Sequence, residues 1–375
     1  MSSTSTPWLE WAASQLAHVE AAGQRRTTRT FDAHGPRGSL DGRSVVSFAS
    51  NDYLGLSTHP KVTEAAAEAI ERWGTGATAS RLVVGHRPCH GELETELAAW
   101  KQAGAALVFP TGYAANLGVL TVLGGPDVTI LSDELNHASL IDGCRLSRSA
   151  VEVFRHGDLD HLGALLERQE GRRCVVVTDT VFSMDGDVAD MDGLARRCAQ
   201  HGALLVLDEA HSVFGPEVDP TSLDVEVIRV GTLSKTLGSL GGFAAGSKLL
   251  VDLLLNRARP FIFTTGLTPA DTAAALAALG VVRSEEGEAL TRRVRNFVDR
   301  LVPAHPSPIV PIVIGDEAEA VAASAALMDQ GILVPAIRPP TVAPGTSRLR
   351  VTVSAGHEEH EVDHLCAALD SLGLR

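Results

Sequence analysis

A lysine and an aspartate in this chain stand where carbonyl chemistry could take place. Lys235 lies in the run GTLSKTLG at 231–238, directly after an apolar run at 225–230. Apolar surroundings lower the pKa of an ammonium group, and a neutral lysine amine can attack a carbonyl to form a Schiff base. Asp208 ends a second apolar run, 203–207, so its carboxylate is predicted at the edge of a buried strand. A Schiff-base lysine and a carboxylate that pairs with a pyridinium nitrogen are what pyridoxal phosphate (PLP) requires, although either residue alone would fit an ordinary loop or cap.

Two turns that carry glycine and hydroxyl groups are candidates for holding a phosphate. The segment Thr-Gly-Tyr at 111–113 joins a predicted strand to a predicted helix, so the amides of Gly112 and Tyr113 lie at a helix N-terminus, which favours phosphate. Thr232 precedes the lysine by three residues, and Ser183 follows another predicted strand, so both offer hydroxyls near strand ends. Each of these residues alone is more often a turn or capping residue.

Two histidines are candidates for contacts with the ring of the cofactor. His211 follows Asp208 by three residues, so on a first helical turn or in a tight loop both can face one ligand. A hydrogen bond from His211 to the phenolic oxygen of PLP would be a suitable role. His137 follows a predicted strand at 128–131, and it could either stack on a flat heteroaromatic ring or cap a helix.

Two arginines near the C-terminus are candidates for binding a substrate carboxylate. Arg348 and Arg350 lie in the run RLRVTV at 348–353, which is predicted to be a strand with both arginines on one face. A guanidinium group matches a carboxylate through two parallel hydrogen bonds, which an amino-acid substrate would need. The spacing alone fits surface arginines on an exposed strand equally well.

The composition excludes several classes of partner. A length of 375 residues favours one large and one smaller domain, and 45% hydrophobic residues are enough for a packed interior. The net charge of -14 argues against nucleic acid and against an anionic membrane surface, and no apolar run approaches the length of a membrane span.

The cysteines and the N-terminus bear on the cellular compartment. The cysteines are scattered and form no CxxC pair, so they are predicted to be buried free thiols in a reducing compartment: Cys89, Cys144, Cys174, Cys198 and Cys366. The N-terminus shows no basic region followed by an apolar stretch, so no signal peptide is expected. A cytoplasmic location is the resulting expectation.

Short β-rich runs alternate with helical patterns between about residues 44 and 247, which predicts an α/β fold. A mostly parallel sheet with helices on both faces follows from that alternation. The predicted strands are 105–109, 128–131, 151–154, 174–178, 203–207, 225–230 and 242–245. Ligands collect at the carboxyl ends of the strands in such sheets, and four of the loops described above follow strand ends. A helix at 8–23 and a polar connection at 24–42 precede this region.

Beyond about residue 269 the pattern changes to that of a smaller α+β domain. Helices are predicted at 272–283, 288–302, 318–330 and about 358–372, and strands at 309–314, 333–337 and 348–353. The predicted domains are an N-terminal helix and connecting segment at 1–43, a large cofactor-binding domain at 44–262, and a small C-terminal domain at 263–375.

One motif favours a different chemistry. The segment HEVDH at 360–364 fits the HExxH pattern, in which two histidines on a helix bind zinc and the glutamate is a general base. A catalytic zinc usually has three protein ligands, and little chain follows this motif to supply one, although His357 lies one turn before His360. A solvated acidic helix is therefore the preferred interpretation, and no metal is expected.

With these residues assembled, the chain resembles the α-oxoamine synthase family of fold-type-I PLP enzymes, over roughly residues 8–372. The motifs that carry the resemblance are SNDYLGL at 50–56, TGYAAN at 111–116, HASL at 137–140, FSMDGD at 182–187, DEAH at 208–211, TLSK at 232–235, FTT at 263–265 and RLR at 348–350. The resemblance implies an aspartate aminotransferase-like fold with a seven-stranded, mostly parallel sheet and a smaller C-terminal α+β domain. It also implies PLP as the cofactor.

The resemblance implies roles for the residues that match these motifs. Lys235 would hold the cofactor as a Schiff base, Asp208 would pair with the pyridinium nitrogen, and His211 would bond the ring oxygen. His137 would stack on the ring, and these four residues form the implied catalytic set. Ser183 would also face the cofactor.

The resemblance also implies phosphate and substrate contacts at the interface of an obligate homodimer. The implied phosphate contacts are Gly112, Tyr113, Thr232 and, from the partner subunit, Thr264 and Thr265. Arg350 would take the substrate carboxylate, and the implied substrate contacts are Arg25, Asn51, His137, Thr341 and Arg350.

Within the family, the run IRPPTV at 337–342 followed by Gly-Thr at 345–346 resembles the members that condense L-alanine with pimeloyl-CoA, or a pimeloyl carrier protein, in biotin biosynthesis. The expected products are 8-amino-7-oxononanoate, carbon dioxide and the free thiol. The alternatives are another α-oxoamine synthase, such as glycine C-acetyltransferase or 5-aminolevulinate synthase. Rivals from other classes are a zinc hydrolase and a non-catalytic scaffold.

The chain departs from the family pattern at two places. The glycine-rich loop that commonly follows His211 is replaced by SVFGPE at 212–217 and a shortened connection to Lys235, which could alter contacts with the acyl chain or CoA. The serine that often follows the second phosphate-facing threonine is replaced by Gly266. Neither departure touches the residues assigned to the cofactor ring.

Overall fold

The computed structural model describes residues 6–169, 171–215 and 224–375. The helices are α1 Pro7–Ala21, α2 Pro60–Trp73, α3 Pro88–Trp100, α4 Gly112–Leu123, α5 Ala138–Leu146, α6 Leu159–Glu167, α7 Met191–His201, α8 Lys248–Arg257, α9 Arg259–Ile262, α10 Pro269–Val282, α11 Glu285–Leu301, α12 Glu317–Asp329 and α13 Glu359–Ser371. The strands are β1 Phe31–His34, β2 Arg37–Leu40, β3 Arg43–Ser47, β4 Ala105–Phe109, β5 Val128–Asp133, β6 Ala150–Phe154, β7 Arg173–Asp179, β8 Leu204–Asp208, β9 Val227–Thr232, β10 Gly242–Gly246, β11 Ile309–Gly315, β12 Ile332–Leu333, β13 Ala336–Ile337 and β14 Ser347–Thr352.

Seven strands form the central sheet, in the order β4-β10-β9-β8-β7-β5-β6. The pairs from β9 to β6 are parallel, and β10 is antiparallel to both of its neighbours. Each predicted strand of this region corresponds to one of the seven, so the predicted α/β fold class is confirmed. β5 is buried along its whole length, and β7 and β8 are buried beyond their first residue. This burial on both faces explains why these strands are almost continuous apolar runs.

Helices cover both faces of this sheet and bury two separate apolar clusters against it. One cluster combines β5 and β8 side chains with those of α4, for example Ile130, Val206 and Val119. The other packs α6 and α7 on the opposite face, where Leu162 and Leu194 contact the strands. The sheet is therefore a rigid layer that positions the loops at its carboxyl edge.

The prediction of a polar connection at 24–42 is wrong in part, because β1 and β2 lie in it. These strands form an antiparallel hairpin, β2 pairs with β3, and β12 from the C-terminal region joins β3 in parallel. β1 is only 4 residues long and exposed along its length, so neither its length nor its burial makes it stand out in the sequence. Backbone pairing stabilises the hairpin, and that pairing leaves little trace in the sequence.

The strand predicted at 333–337 is in fact two short strands that belong to different sheets. β12 pairs with β3, whereas β13 pairs with β14 in a three-stranded antiparallel sheet, in the order β11-β14-β13. The chain changes sheets at Val334 and Pro335, and proline lacks the amide that a continuous central strand would need. The helices and the remaining strands predicted after residue 269 are confirmed with shifts of one to a few residues at their ends.

Two further observations concern the cysteines and the helices. All five cysteines are buried with free thiols, as predicted. In the described ranges, none of the helices combines the length and the apolar character that crossing a membrane requires. Residues 1–5, at the start of the segment in which no signal peptide is expected, lie outside the described residues, and so does the shortened loop at 216–223.

Candidate active site

The carboxyl edge of the central sheet carries a cavity of about 250 Å³ between the loops that follow β4, β5, β7, β8 and β9. Parallel strands bring these loops together because their carboxyl ends meet at one edge. The predicted residues that line the cavity are Gly112, Tyr113, His137, Asp208, His211, Thr232 and Lys235. The sheet therefore brings together most of the residues assigned to the cofactor.

Lys235 is half-buried in the turn between β9 and β10, with its amine in the cavity. Its Nζ lies 2.7 Å from His211 Nε2. Burial is the largest influence on this lysine and lowers its pKa, while Asp208 and Asp179 oppose that shift. The amine is therefore more readily deprotonated than an exposed lysine, as attack on a carbonyl requires.

A chain of hydrogen bonds leads from Lys235 through His211 and Tyr53 to Asn51. Tyr53 is fully buried, and its Oη donates to Asn51 Oδ1 at 3.0 Å and lies 2.6 Å from His211 Nδ1. Because the single Tyr53 proton goes to Asn51, His211 Nδ1–H donates to the phenol and Nε2 is free to accept from Lys235. Burial lowers the pKa of His211 well below its ordinary value, and Lys235 and Arg350 add to the shift. These hydrogen bonds require a neutral His211 ring.

Two carboxylates lie side by side at the ends of β7 and β8. Asp179 and Asp208 are register partners, and both are buried. Asp208 accepts from Asn116 Nδ2 at 2.6 Å and from the Ala210 amide at 2.9 Å. Burial, and then the charge of Asp208, raises the pKa of Asp179 well above its ordinary value. The two carboxyl groups therefore differ: Asp208 accepts hydrogen bonds at both oxygens, whereas the pKa of Asp179 is raised.

The loop after β4 supplies the donors that a phosphate would need. Thr111 caps α4 by accepting from the Ala114 amide, and the first intrahelical bond is donated by Ala115, so the amides of Gly112 and Tyr113 precede the hydrogen-bonded ladder. A Cβ at Gly112 would lie 3.2 Å from Thr232 Cβ, so a side chain here would force the two loops apart by a few tenths of an ångström.

The donor set of the cavity fits PLP at both ends. Thr232 Oγ1 and Ser234 Oγ lie 2.7 Å apart beside the N-terminus of α4, where a phosphate is favoured. At the other end a carboxylate, Asp208, and an amine, Lys235, line the same cavity. These groups match the phosphate, the ring nitrogen and the aldehyde of PLP.

Arg350 and Arg348 are both buried on β14, on the face that the two-residue period predicts. Arg350 donates to Asn51 Oδ1 at 3.2 Å and to the main-chain oxygen of Ser183, and Arg348 pairs with Asp185. The interpretation as exposed surface arginines is therefore excluded. Ser183 does not belong to the described lining of the Lys235 cavity, and it holds Arg350 through its carbonyl group.

The segment that carries Ser183 and Asp185 is tied to the sheet by His156. The segment is closed by a bridge between Val181 and Val188, and His156 Nε2 lies 2.8 Å from Asp187 Oδ2. His156 Nδ1 lies 3.1 Å from Asp133 Oδ1 at the end of β5. Bonds to Asp133 and Asp187 raise the pKa of His156 to about 10. An imidazolium between two carboxylates therefore joins this segment to the loop that carries His137.

The raised pKa of His156 predicts a pH-dependent contribution to stability. The contribution is fully present below the unfolded pKa of about 6.5, and it is lost as the pH rises towards the folded value of about 10. The difference in urea unfolding midpoint between the wild type and His156→Gln should thus be largest near pH 6 and vanish above about pH 10.

His201→Gln, at the exposed end of α7, is the matched control for that measurement. It should unfold in parallel with the wild type across the same pH range. A difference for His156→Gln that stays constant with pH would contradict a charged His156.

The remaining predicted residues lie away from the Lys235 cavity within this chain. Arg25 is exposed and approaches Glu20 at 3.7 Å. Thr341 lines a second cavity of about 670 Å³, which Ser183 and Arg348 also line. Thr264 is half-buried and Thr265 is exposed, in the loop between α9 and α10.

The HExxH motif does not form a metal site with the residues described. Glu361 is buried and accepts from Arg37 Nε at 2.6 Å, while His360 is largely exposed. His357 is buried and lies 2.9 Å from the Ser47 carbonyl oxygen. In the described parts of the chain, the His, Cys, Asp and Glu side chains form no group of three or more that could hold a metal ion.

Comparison with known proteins agrees with this geometry. The model of the family described as aminotransferase class I and II matches residues 43–369. The 8-amino-7-oxononanoate synthase of Anaeromyxobacter dehalogenans (strain 2CP-1 / ATCC BAA-258) is 48% identical over 96% of this chain and 95% of its own. That of Methylobacterium sp. (strain 4-46) is 49% identical over 97% of this chain and 96% of its own. The chain belongs to the aminotransferase class I and II family and, within it, to the 8-amino-7-oxononanoate synthase family.

A solved structure extends the comparison to the cofactor. A lysine-to-alanine variant of the serine palmitoyltransferase of S. paucimobilis, with a bound PLP–myriocin aldimine, superposes with a TM-score of 0.89 at 27% identity and covers 98% of both chains. The chain is a PLP-dependent acyltransferase of fold type I. The predicted fold class, enzyme class, cofactor and family resemblance are thereby confirmed.

The structure adds site residues that the sequence-based assignment missed. They are Tyr53, Asn116, Ser139 and Asp179. Asp179 ends a buried strand as Asp208 does, so the same rule could have found it. Tyr53 and Asn116 act through partners far along the chain, such as the Tyr53–His211 bond across 158 residues. Ser139 contacts its near neighbour His137 as well as the more distant Asn116.

Proposed function

We propose that this chain condenses L-alanine with pimeloyl-CoA, or a pimeloyl carrier protein, to form 8-amino-7-oxononanoate in biotin biosynthesis. The observation that carries the proposal is the chain of hydrogen bonds that links Arg350 to Lys235 through Asn51, Tyr53 and His211. It puts a carboxylate-binding group and an amine of lowered pKa within one polar network. The near full-length relatives that are named 8-amino-7-oxononanoate synthases support the choice of substrates.

Arg350 binds the amino-acid carboxylate in this proposal. Its guanidinium is oriented by Asn51 and by the Ser183 carbonyl, which leaves its remaining donors for a carboxylate. Because an amino acid held by its carboxylate can turn only about that contact, its Cα hydrogen faces a limited part of the cavity. Arg350 thereby supplies orientation in addition to affinity.

Lys235 moves the proton at Cα in this proposal. Bound PLP supplies an electron-withdrawing ring that stabilises negative charge at Cα of the amino acid. The lowered pKa of Lys235 lets its amine accept the Cα proton, and His211 Nε2 at 2.7 Å orients that amine. His137 and Asp208 line the same cavity, where His137 would stack on the ring and Asp208 would pair with its nitrogen.

The reaction balances without a further reactant. The Cα–H bond of L-alanine breaks, a Cα–C bond forms to the thioester carbonyl, and the thiol leaves. The Cα–carboxylate bond then breaks to release carbon dioxide, and a proton returns to Cα. The second cavity, with Thr341 and the apolar Leu135, Met184 and Val342, offers space for the acyl chain next to Ser183.

The experiment that tests the proposal measures thiol release from pimeloyl-CoA by PLP-loaded protein, with and without L-alanine. We expect release that depends on L-alanine and a product of the mass of 8-amino-7-oxononanoate. Glycine with acetyl-CoA or succinyl-CoA should be much poorer substrates. Release from those donors alone would assign the chain to another α-oxoamine synthase activity, and an absorbance change on adding an amino acid without any thiol release would point to a different acyl donor.

We further propose that the active enzyme is a homodimer with each site completed by Thr264 and Thr265 of the other subunit. The surface around these threonines supports it, because Phe263 is 69% exposed and Val83 is 73% exposed in the single chain. Gly266 also contacts the loop of Val83 through the Ala79 carbonyl oxygen. Apolar side chains this exposed are typical of an interface between subunits.

Mixed subunits test this arrangement. Lys235→Ala and the double variant Thr264→Ala/Thr265→Ala should each be impaired alone. If the threonines act across the interface, a heterodimer of the two variants regains one intact site, so mixing should restore part of the activity. No restoration in a verified heterodimer would contradict the shared site.

The reducing compartment remains our proposal for the location of the reaction. Five buried free thiols support the cytoplasm, where such thiols stay reduced. Fractionation of cells that express the tagged chain would test it.

A further inference from the structure

We infer that Ser139 and Asn116 are positioning residues that hold His137 in the tautomer with its proton on Nε2. His137 is the N-cap of α5, and its ring lines the Lys235 cavity. The inference concerns which nitrogen of the His137 ring carries the proton. Only its predicted effect on kcat rests on the proposed function.

The capping geometry requires an acceptor at Nδ1. The backbone amide of Ser139 donates to His137 Nδ1 at 3.2 Å, as the N-cap position demands. A backbone N–H can only donate, so Nδ1 must present its lone pair. A neutral imidazole whose Nδ1 accepts carries its proton on Nε2.

The Ser139 hydroxyl is a second group directed at the same nitrogen. Its Oγ lies 2.7 Å from His137 Nδ1 and accepts from Asn116 Nδ2 at 2.9 Å. With the Asn116 donor occupying one side of the oxygen, the hydroxyl proton is free to point at Nδ1. Asn116 thereby sets the direction of the hydroxyl, although it does not touch the histidine.

The orientation of the Asn116 amide is itself determined by Asp208. The amide nitrogen lies 2.6 Å from Asp208 Oδ2, and the reversed amide would place two oxygens against each other. The two Nδ2 protons are thus divided between Asp208 and Ser139, and the amide oxygen is buried without a hydrogen-bond partner among the described residues. The unsatisfied Asn116 oxygen is destabilising, but this orientation of the amide is the one that keeps both Nδ2 hydrogen bonds.

The electrostatic surroundings agree with a neutral ring. Burial is the largest influence and lowers the pKa of His137, Asp208 raises it, and Lys235 lowers it further. Protonation at Nδ1 would break the N-cap as well as the contact with the serine hydroxyl. The ring therefore presents a fixed N–H donor at Nε2 to ligands in the cavity, and its direction is set before any ligand binds.

The experiment is nitrogen-15 NMR of the full chain labelled at histidine, with and without PLP. The His137→Asn variant, whose side chain can still cap the helix, identifies the His137 signals by their absence. We expect the chemical shift of an unprotonated Nδ1 and a protonated Nε2 at neutral pH. Because no substrate is present, this result does not depend on the proposed reaction.

Ser139→Ala tests the positioning. It should raise the fraction of the ring that is protonated at Nδ1 and lower kcat about fivefold, the effect of losing one neutral hydrogen bond. Ser139→Thr keeps the hydroxyl and should restore the wild-type spectrum. Ser147→Ala, a buried serine at the other end of α5 whose hydroxyl bonds the Cys144 carbonyl, is the control and should change neither readout.

Two results would overturn the inference. One is a wild-type ring that is protonated at Nδ1, alone or together with Nε2. The other is a Ser139→Ala protein whose His137 signals match the wild type, which would leave Ser139 with a structural role only. Failure of the thiol-release assay with an intact Nε2–H signal would count against the proposed substrates and leave the tautomer assignment standing.

Discussion

Lys235→Ala should lower the rate of thiol release by at least about 10⁴-fold, as the loss of a covalent catalytic group does in other enzymes. In the proposed roles, the variant loses both the amine that would bind the cofactor covalently and the group that would move the Cα proton. His211, which lies 2.7 Å from Nζ, cannot replace it, because burial lowers the pKa of His211 and its other nitrogen is engaged with Tyr53.

Two measurements check this prediction together. Thiol release gives the rate, and the visible absorbance of the PLP-loaded protein reports whether the cofactor is bound through a Schiff base. Lys248→Ala is the matched control, because Lys248 is exposed at the start of α8 and pairs with Asp252 on the same helix. A Lys235→Ala protein that keeps full activity would refute the assignment of Lys235.

Asp208→Asn should lower kcat at least about a thousandfold, at the upper end of the effect of removing a preorganised electrostatic partner. The change removes the carboxylate that we propose pairs with the ring nitrogen of the cofactor. It also leaves one oxygen where two are needed, because Asp208 accepts from both Asn116 and the Ala210 amide. One of these buried donors then loses its partner.

Asp179→Asn is the matched comparison, and we expect it to lower kcat less than about tenfold. Asp179 is the register partner of Asp208 and lines the same cavity. Burial and the charge of Asp208 raise the pKa of Asp179 and so favour its neutral form, which an asparagine resembles in charge and shape. The amide oxygen can still accept from the His137 backbone, as Asp179 does at 2.7 Å.

Steady-state kinetics and PLP titration of both variants measure the contrast. Equal and severe losses would show that Asp179 is charged in the working enzyme, contrary to its burial beside Asp208. Equal and mild losses would remove Asp208 from its assigned role. Only a large difference between two neighbouring carboxylates agrees with the electrostatics of the site.

Local sequence patterns are enough to predict the central sheet and the positions of its functional loops. The strands β5, β7 and β8 are buried on both faces, so each is a nearly continuous apolar run that stands out in the sequence. Residues directly after such runs, including Asp208 and Gly112, must lie at one edge when the strands are parallel. The candidate cofactor residues could therefore be found without coordinates.

Contacts between distant segments could be established from coordinates alone. β1 is exposed, and its hairpin with β2 is anchored by β3, which in turn pairs with β12 from the far end of the chain. The same is true of Tyr53 beside His211 and of Asn116 between Asp208 and Ser139. Hydrogen bonds between residues far apart in the chain depend on distances and directions that no local pattern of hydrophobicity encodes. Local patterns therefore specify the fold class and the chemistry of the site, whereas the packing of distant segments determines which hydrogen-bond partners the site residues have.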